Sequence, residues 1–88
     1  MELIQMQAFV SLAQTQHMPR TAQEMNTSQS HISKLISSLE AELGMKLFNR
    51  VGRGVVLNEH GHIFYEYASN ALQTVRNGET ALKSLRGS

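Results

Sequence analysis

A polar run between residues 28 and 37 combines small hydroxyls, an amide, an imidazole and a cation, and it contains no carboxylate. Its members are Ser28, Gln29, Ser30, His31, Ser33, Lys34 and Ser37. Hydroxyl and amide groups both donate and accept hydrogen bonds, and lysine donates with a positive charge. Short side chains without negative charge can approach a polyanion closely. The run therefore indicates hydrogen bonding to phosphates or to base edges, although a serine-rich face is also typical of a solvated helix.

The segment "TSQSHISKLISSLEAELG", residues 27–44, predicts one amphipathic helix. Apolar residues recur at intervals of four, three and four, which places them on one side of a helix: Ile32, Ile36, Leu39 and Leu43. The polar run lies on a separate arc at about 100° per residue. Thr27 and Ser28 supply an N-cap, and Gly44 suits the left-handed position that ends a helix. Glu40 and Glu42 lie in the last turn, where we expect them to be exposed and to pair with Lys46 or Arg50.

Two shorter apolar patterns precede this helix. Residues 2–15 predict a first helix with an apolar side formed by Leu3, Met6, Phe9, Val10 and Ala13. Pro19 suits the first turn of a helix, which predicts a short second helix over about 19–26. Residues 18–37 then have the layout of a helix-turn-helix. In that motif the second helix enters the DNA major groove, where a glutamine such as Gln29 can bind adenine through two hydrogen bonds.

A basic turn follows the candidate recognition helix. Within residues 48–57, Gly52 and Gly54 flank Arg53, and valines lie on either side, which predicts a β-hairpin. A hairpin with Arg50 and Arg53 can act as a wing that reaches the flanking phosphates or the minor groove. The helix without acids and the basic hairpin together strongly favour nucleic acid as the partner.

Asn58 caps a last helix predicted over 59–86. A helix of this length reaches about 42 Å, which is too long for the three preceding helices to cover. Apolar residues left uncovered would form a patch in water. We expect its heptad-like seam to pair with a second subunit, although Gly78 would also suit a frayed helix. The expected dimer interface consists of Phe64, Tyr67, Ala68, Ala71, Leu72, Val75, Gly78 and Leu82.

Composition limits the remaining possibilities. The chain has 88 residues, no cysteine and a net charge of +1, which fits one small domain without disulfides. Glu2 stands where a signal peptide would carry cations, and no apolar run approaches the length of a membrane span. Residues 17–53 carry five cations and three carboxylates, a local charge of +2. We expect a cytoplasmic protein that does not bind membranes.

The sequence offers no arrangement for metal binding or catalysis. Of the four histidines, His60 and His62 are two residues apart on a helix, so their rings diverge by about 200°. No nucleophile motif, phosphate loop or convergent carboxylate pair is present. We expect neither a metal site nor an enzyme.

The segments "LIQMQAFVSLAQ", "TAQEMNTSQSHISKLISSLEAELGMKLFNR" and "GRGVVLNEHG" resemble the N-terminal region of LysR-type transcriptional regulators, over residues 1–86. The resemblance implies a mainly α fold: a winged helix-turn-helix over 1–58 and a linker helix over 59–86 that pairs two subunits. It also implies sequence-specific binding of double-stranded DNA by a dimer on an interrupted palindrome. Gln29, Ser33 and Lys34 would face bases or phosphates, and Arg50 and Arg53 would hold the backbone, with Arg20 as a further candidate for backbone contact.

The chain departs from the family pattern at four positions. Proline is common where this chain has Ser30, a small residue where it has His31, and arginine where it has Lys34. Lysine cannot bind guanine through the two-pronged geometry of arginine, so we expect softer base discrimination there. Pro19 replaces a capping hydroxyl, which predicts a loosely started second helix.

The resemblance further implies a larger C-terminal domain that binds a small-molecule inducer and assembles tetramers, so this chain is expected to be a fragment without a cofactor of its own. Two other interpretations remain open. The same fold can serve as a protein-interaction module that binds no DNA, or it can belong to another regulator family, such as the molybdate-responsive repressors.

Overall fold

The computed structural model describes residues 1–87 and contains four α-helices and one two-stranded antiparallel sheet. The elements in chain order are α1 Leu3–Thr15, α2 Met18–Glu24, α3 Gln29–Leu43, β1 Phe48–Val51, β2 Gly54–Leu57 and α4 Glu59–Arg86. This order confirms the predicted winged helix-turn-helix followed by a long helix. The predicted helix boundaries agree with the observed ones to within two residues, and those of α4 agree at both ends.

Phe9 of α1 lies at the centre of the core and is fully buried. Its ring centroid is 5.5 Å from that of Phe48 in β1, 5.3 Å from Phe64 and 6.4 Å from Tyr65, both in α4. Tilted and edge-on aromatic pairs at these separations are favourable beyond the area they bury. One ring therefore joins the first helix, the wing and the last helix.

Helix α1 buries more of its surface than the predicted stripe. Leu3 is exposed, whereas Ala8, Leu12 and the polar Gln5 are buried, so the expectation for Leu3 was wrong. The reason is that α1 contacts both α3 and α4, which cover two sides of it. Gln5 is satisfied inside because its amide Nε2 donates to Ser38 Oγ at 3.1 Å.

Helix α2 begins with a side-chain cap. The backbone N–H of Arg20 donates to His17 Nδ1 at 3.2 Å, so the loose start expected from Pro19 is not observed. The turn to α3 passes through Asn26 in the left-handed region, with φ of 54°. Ser28 then caps α3, its Oγ accepting from the N–H of His31 at 3.1 Å.

The wing is attached to the end of α1. In the register of the hairpin, Phe48 faces Leu57 and Val51 faces Gly54. The N–H of Val55 donates to the carbonyl of Gln16 at 3.1 Å. A side chain at Gly54 would collide with that same carbonyl, so the close approach of strand and helix requires glycine there.

Glu40 connects α3 to the start of the wing. It is buried, and its Oε2 accepts from the backbone N–H of Leu47 at 2.7 Å. Lys46 Nζ lies 3.8 Å from Oε1. The expectation that Glu40 is exposed was therefore wrong, although the predicted pairing with Lys46 is present.

The start of α4 is joined to the same loop. Asn58 donates from its backbone N to the carbonyl of Leu47 and from Nδ2 to that of Lys46, both at 2.9 Å. Its Oδ1 accepts from the N–H of Gly61 at 2.8 Å, which caps the helix. A Cβ at Gly61 would collide with the Leu47 carbonyl. Helix α4 is thus fitted closely against the base of the wing.

Candidate nucleic-acid interface

A groove runs between the start of α2, the start of α3 and the wing. We call it the wing groove; it is lined by His17, Met18, Pro19, Gln29, Ser30, Ser33, Arg50, Arg53, Gly54 and Val55. Three elements that are separate in sequence form it, because the wing is attached to the end of α1 directly before α2 begins. The structure thus brings together the wing and part of the predicted recognition helix.

A second groove continues along α3 beside the first strand. We call it the strand groove; its polar lining comes from Ser33, Ser37, Glu40, Lys46, Asn49 and Arg50, and its apolar lining from Leu12, Met18, Ile36, Phe48 and Val55. Ser33 and Arg50 line both grooves. The two grooves therefore form one continuous track along α3, with cations on the wing side.

The row on α3 that faces the wing is set by helical spacing. At about 100° per residue, Gln29, Ser33 and Ser37 fall within about 80° of one another, and Ser30 lies at the edge of this arc. All four side chains are exposed. Their amide and hydroxyl groups can bind base edges or phosphates, and their small size leaves the helix backbone close to whatever occupies the groove.

Both wing arginines are available to a ligand. Within residues 1–87, neither Arg50 nor Arg53 forms an ion pair, and the only carboxylate lining either groove is the buried Glu40. An unpaired guanidinium presents a planar fork of donors that matches the oxygens of a phosphate. The positive charge of the wing is thus not neutralised by the protein itself.

Four predicted contact residues lie outside both grooves. Ser28 uses its hydroxyl as the cap of α3. His31 lies about 100° beyond Ser30 around the helix, and its Nδ1 is 2.8 Å from Thr27 Oγ1. Lys34 and Arg20 are exposed on α3 and α2 respectively. The structure does not bring these four into the grooves, and their contact with nucleic acid stays a prediction.

The structure adds His17, Lys46 and Asn49 to the candidate residues. Asn49 and Lys46 line the strand groove, and His17 lines the wing groove. None belongs to a recognisable pattern in the sequence, because each reaches the groove through a turn or strand whose position depends on the fold. The polar interruption before Pro19 was the one signal that could have pointed to His17.

The predicted dimer seam divides into two parts. Ala68 and Leu72 are 1% and 4% exposed and belong to the core of the chain itself, so their assignment to a subunit interface was wrong. Phe64 is half-buried against Phe9. The other predicted residues are exposed: Tyr67, Ala71, Val75, Gly78 and Leu82. The physical reason is that the first half of α4 packs on α1, and this packing uses the same heptad-like pattern.

The second half of α4 extends beyond the winged helix-turn-helix. From residue 73 to residue 87 every side chain is exposed, and Leu82 retains 70% of its surface in water. Ile63 and Leu85 are further exposed apolar residues of α4. Of the helices described, none is long and apolar enough to cross a bilayer. Residues 1–87 contain no cluster of three or more histidine and acidic side chains that could hold a metal ion.

Comparison with known proteins identifies relatives over nearly the whole chain. Residues 3–62 match the family model described as bacterial regulatory helix-turn-helix protein, lysR family. The transcriptional regulator BudR of Klebsiella aerogenes is 40% identical over 87 residues, which are 99% of this chain and 59% of BudR. The uncharacterized transcriptional regulator YybE of Bacillus subtilis is 34% identical over 85 residues, 97% of this chain and 29% of YybE. The chain thus spans less than two-thirds of the length of either relative, 29% of YybE and 59% of BudR.

Solved structures show the same fold. The BenM DBD in complex with catB site 1 DNA superposes with a TM-score of 0.91 at 32% identity, covering 100% of this chain and 99% of that one. The CbnR DBD–DNA complex gives a TM-score of 0.84 at 32% identity, covering 97% and 99%. Full-length CbnR complexed with its target DNA covers 92% of this chain and 28% of that one, with a TM-score of 0.82.

Proposed function

The chain belongs to the lysR family of bacterial regulatory helix-turn-helix proteins, and we propose that it binds double-stranded DNA as the DNA-binding domain of a LysR-type transcriptional regulator. The observation that carries the proposal is the continuous track formed by the wing groove and the strand groove. It has exposed hydroxyl and amide groups along α3 and two unpaired arginines on the wing. Nucleic acid is the ligand whose phosphates and base edges require both kinds of group.

The geometry supports a specific mode of docking. Helix α3 enters the major groove with its first two turns, where Gln29, Ser30 and Ser33 meet base edges or phosphates. The wing then lies over the adjacent backbone, and Arg50 and Arg53 pair with phosphates there. The DNA complexes of the BenM and CbnR DBDs, which share this fold at 32% identity, support the same use of the fold in this chain.

We propose that two copies bind one site. The exposed half of α4 offers apolar side chains that a second α4 would remove from water. A two-fold dimer presents two recognition helices to two half-sites, so the operator is expected to be an interrupted palindrome. The remaining interface residues are Tyr67, Ala71, Val75, Gly78 and Leu82, and Ile63 and Leu85 extend the same surface.

The relatives are transcriptional regulators, and the proposal accordingly assigns this chain a regulatory role without catalysis, in the cytoplasm, where bacterial DNA lies. It assigns no cofactor to these residues. We place the binding of an inducer in the part of the relatives' length that this chain does not span. We place the contacts that build a tetramer there as well. The alternative of a protein-interaction module finds no support in the structure, because the exposed side of α3 is polar and the adjacent wing is basic.

A salt titration of DNA binding tests the proposal. The chain is incubated with a fluorescent duplex, and the association constant is measured by anisotropy over a range of salt concentrations. Because each neutralised phosphate releases counterions, the logarithm of the constant should fall linearly with the logarithm of salt concentration. The R50E/R53E variant should lose most of the binding, whereas R76E/K83E, with the same change in net charge on a side of α4 about 100° or more from Leu82, should retain it. Absence of binding in dilute salt would contradict the proposal.

A further inference from the structure

His17 is held in one orientation at the rim of the wing groove. Its carbonyl accepts from the N–H of Thr21 at 3.0 Å and from Thr15 Oγ1 at 3.1 Å. Its own N–H donates to Thr15 Oγ1 at 3.2 Å. The two threonines therefore fix the backbone on both sides of the imidazole, and the ring position is pre-organised before any ligand arrives.

The cap of α2 also determines which ring nitrogen carries a proton. His17 Nδ1 accepts the N–H of Arg20 at 3.2 Å, and an accepting nitrogen in a neutral imidazole is the unprotonated one. The proton is consequently on Nε2, on the side of the ring away from the helix backbone. No group within residues 1–87 accepts a hydrogen bond from Nε2. The exposed ring thus presents a fixed and unused donor.

The surroundings of His17 select an anionic acceptor. The wing groove that it lines also contains Gln29, Ser30, Arg50 and Arg53, and no carboxylate lines it among the described residues. We propose that His17 is a further DNA contact, whose Nε2–H donates to a phosphate oxygen of the strand that the wing arginines hold. The inference rests on the proposed function, since it concerns the same ligand in the same groove.

Loss of a neutral hydrogen-bond donor and loss of a cation affect the salt dependence of DNA binding differently. Arginine neutralises a phosphate and releases counterions, so its loss changes the salt dependence of binding. A neutral imidazole contributes a hydrogen bond without neutralising charge. While Nδ1 accepts the N–H of Arg20, the ring acts as a neutral donor, so loss of the His17 contact should lower affinity by the same factor at every salt concentration.

Two variants separate this contact from the capping role. Serine and aspartate are both good N-cap residues, so H17S and H17D keep α2 capped while removing the ring. We expect H17S to bind a duplex selected by the wild-type chain about three- to tenfold more weakly, with an unchanged salt slope. H17D should bind more weakly still, because its carboxylate meets a phosphate. The thermal unfolding of both variants should stay close to that of the wild type.

A duplex series with single methylphosphonates locates the contact. Each member of the series replaces one charged phosphate oxygen by a methyl group. The wild type should lose affinity at one phosphate where H17S loses none, whereas the phosphates paired with the wing should remain sensitive in both proteins. That pattern assigns one phosphate to His17.

Three results would overturn the inference, and the failure of the His17 contact can be distinguished from the failure of the proposed function. If the wild type binds the selected duplex but H17S and H17D bind it equally well, His17 makes no contact while the proposed function stands. The same conclusion follows if wild type and H17S are sensitive at identical phosphates. If the wild type binds no duplex in dilute salt, the proposed function fails and the His17 contact fails with it.

Discussion

Gln29 illustrates how one side chain can carry sequence preference. It is the first residue of α3, it is exposed, and it lines the wing groove beside Arg53. Its amide can both donate and accept, which is the combination that adenine presents in the major groove. A residue at the N-terminal end of the recognition helix is therefore the first to meet base edges.

Replacement of Gln29 by alanine should relax preference at one base pair. We expect a loss of about 1–3 kcal/mol in discrimination at that position, because two hydrogen bonds to one base are removed. Affinities for a panel of duplexes with single base-pair changes measure this effect. Gln23, an exposed glutamine of α2 outside both grooves, provides the matched control in Q23A. A uniform loss over the whole panel would assign Gln29 to the backbone instead.

Glu40 carries a structural role that a second substitution can measure. Removal of its carboxylate in E40A leaves the backbone N–H of Leu47 without its acceptor. An unsatisfied buried donor costs about 1–3 kcal/mol, so the free energy of unfolding should fall by that amount in denaturant titration. E66A removes an exposed glutamate from α4 and should change little. Equal stability of E40A and E66A would show that Glu40 does not hold the loop.

The single residues that sequence patterns missed depend on the tertiary structure. Gln5 and Glu40 are polar, and each hydrogen-bonds to a group that only the fold brings near. His17 caps its own helix locally, but it lines the wing groove only because the fold places the wing beside it. A periodic pattern shows which side of a helix is apolar but not which polar side chain finds a buried partner. Ser33 and Gln29 could be predicted because helical spacing alone places them on the exposed arc.

Among the elements, the wing supplies the two arginines of the proposed DNA interface. Arg53 lies in the turn between β1 and β2, next to Gly52 with φ of 59°. The turn is anchored by the contact of β2 with the end of α1, which holds the arginine over the groove. We therefore expect its interaction with DNA to be independent of base sequence.

In R53A, binding to all duplexes should weaken alike, and the slope of log K against log salt should become about one unit shallower. Anisotropy titrations at several salt concentrations measure both quantities. R86A, which removes a cation from the last turn of α4, should leave the slope unchanged. A changed sequence preference with the slope intact would contradict the assignment of Arg53 to the backbone.

The second half of α4 predicts a subunit interface that one charge can disrupt. Leu82 is 70% exposed in the single chain, and a glutamate there would have to be buried without a partner on association. L82E should therefore be monomeric at concentrations where the wild type is dimeric, as measured by sedimentation equilibrium. T80E places the same charge about 200° around the helix and should still associate. A monomeric wild type would refute the interface.

Element boundaries were largely readable because the caps are local. Ser28, Gly44 and Asn58 each end or begin a helix as their residue types predict. The part of the heptad-like seam of α4 that remains open to a second subunit could not be predicted in the same way. An apolar heptad shows that a face is covered, but Ala68 is covered by α1 of the same chain whereas Leu82 is left open.

At the scale of the molecule, we expect the affinity of a dimer for DNA to depend on the distance between the two half-sites. Two recognition helices related by a two-fold axis fit half-sites separated by about 10–10.5 base pairs or a multiple. Insertion of about five base pairs at the centre of a selected site turns one half-site to the opposite side of the DNA. We expect affinity to fall to that of a single half-site, measured by gel shift. The monomeric L82E variant should be indifferent to the insertion, and indifference of the wild type would argue against paired binding.

The junction at Asn58 and Gly61 has a mechanical consequence. Helix α4 is hydrogen-bonded to the loop that precedes the wing, and the missing side chain at Gly61 lets their backbones touch. Within the residues described, only Asn58 separates β2 from α4, so no flexible linker lies between the winged helix-turn-helix and the long helix. The molecule is about 50 Å long and 19 Å across at its narrowest. We therefore expect a rotation of α4 to turn the winged helix-turn-helix with it. In the proposed dimer, we expect the angle between the two α4 helices to set the orientation of the two α3 helices on DNA.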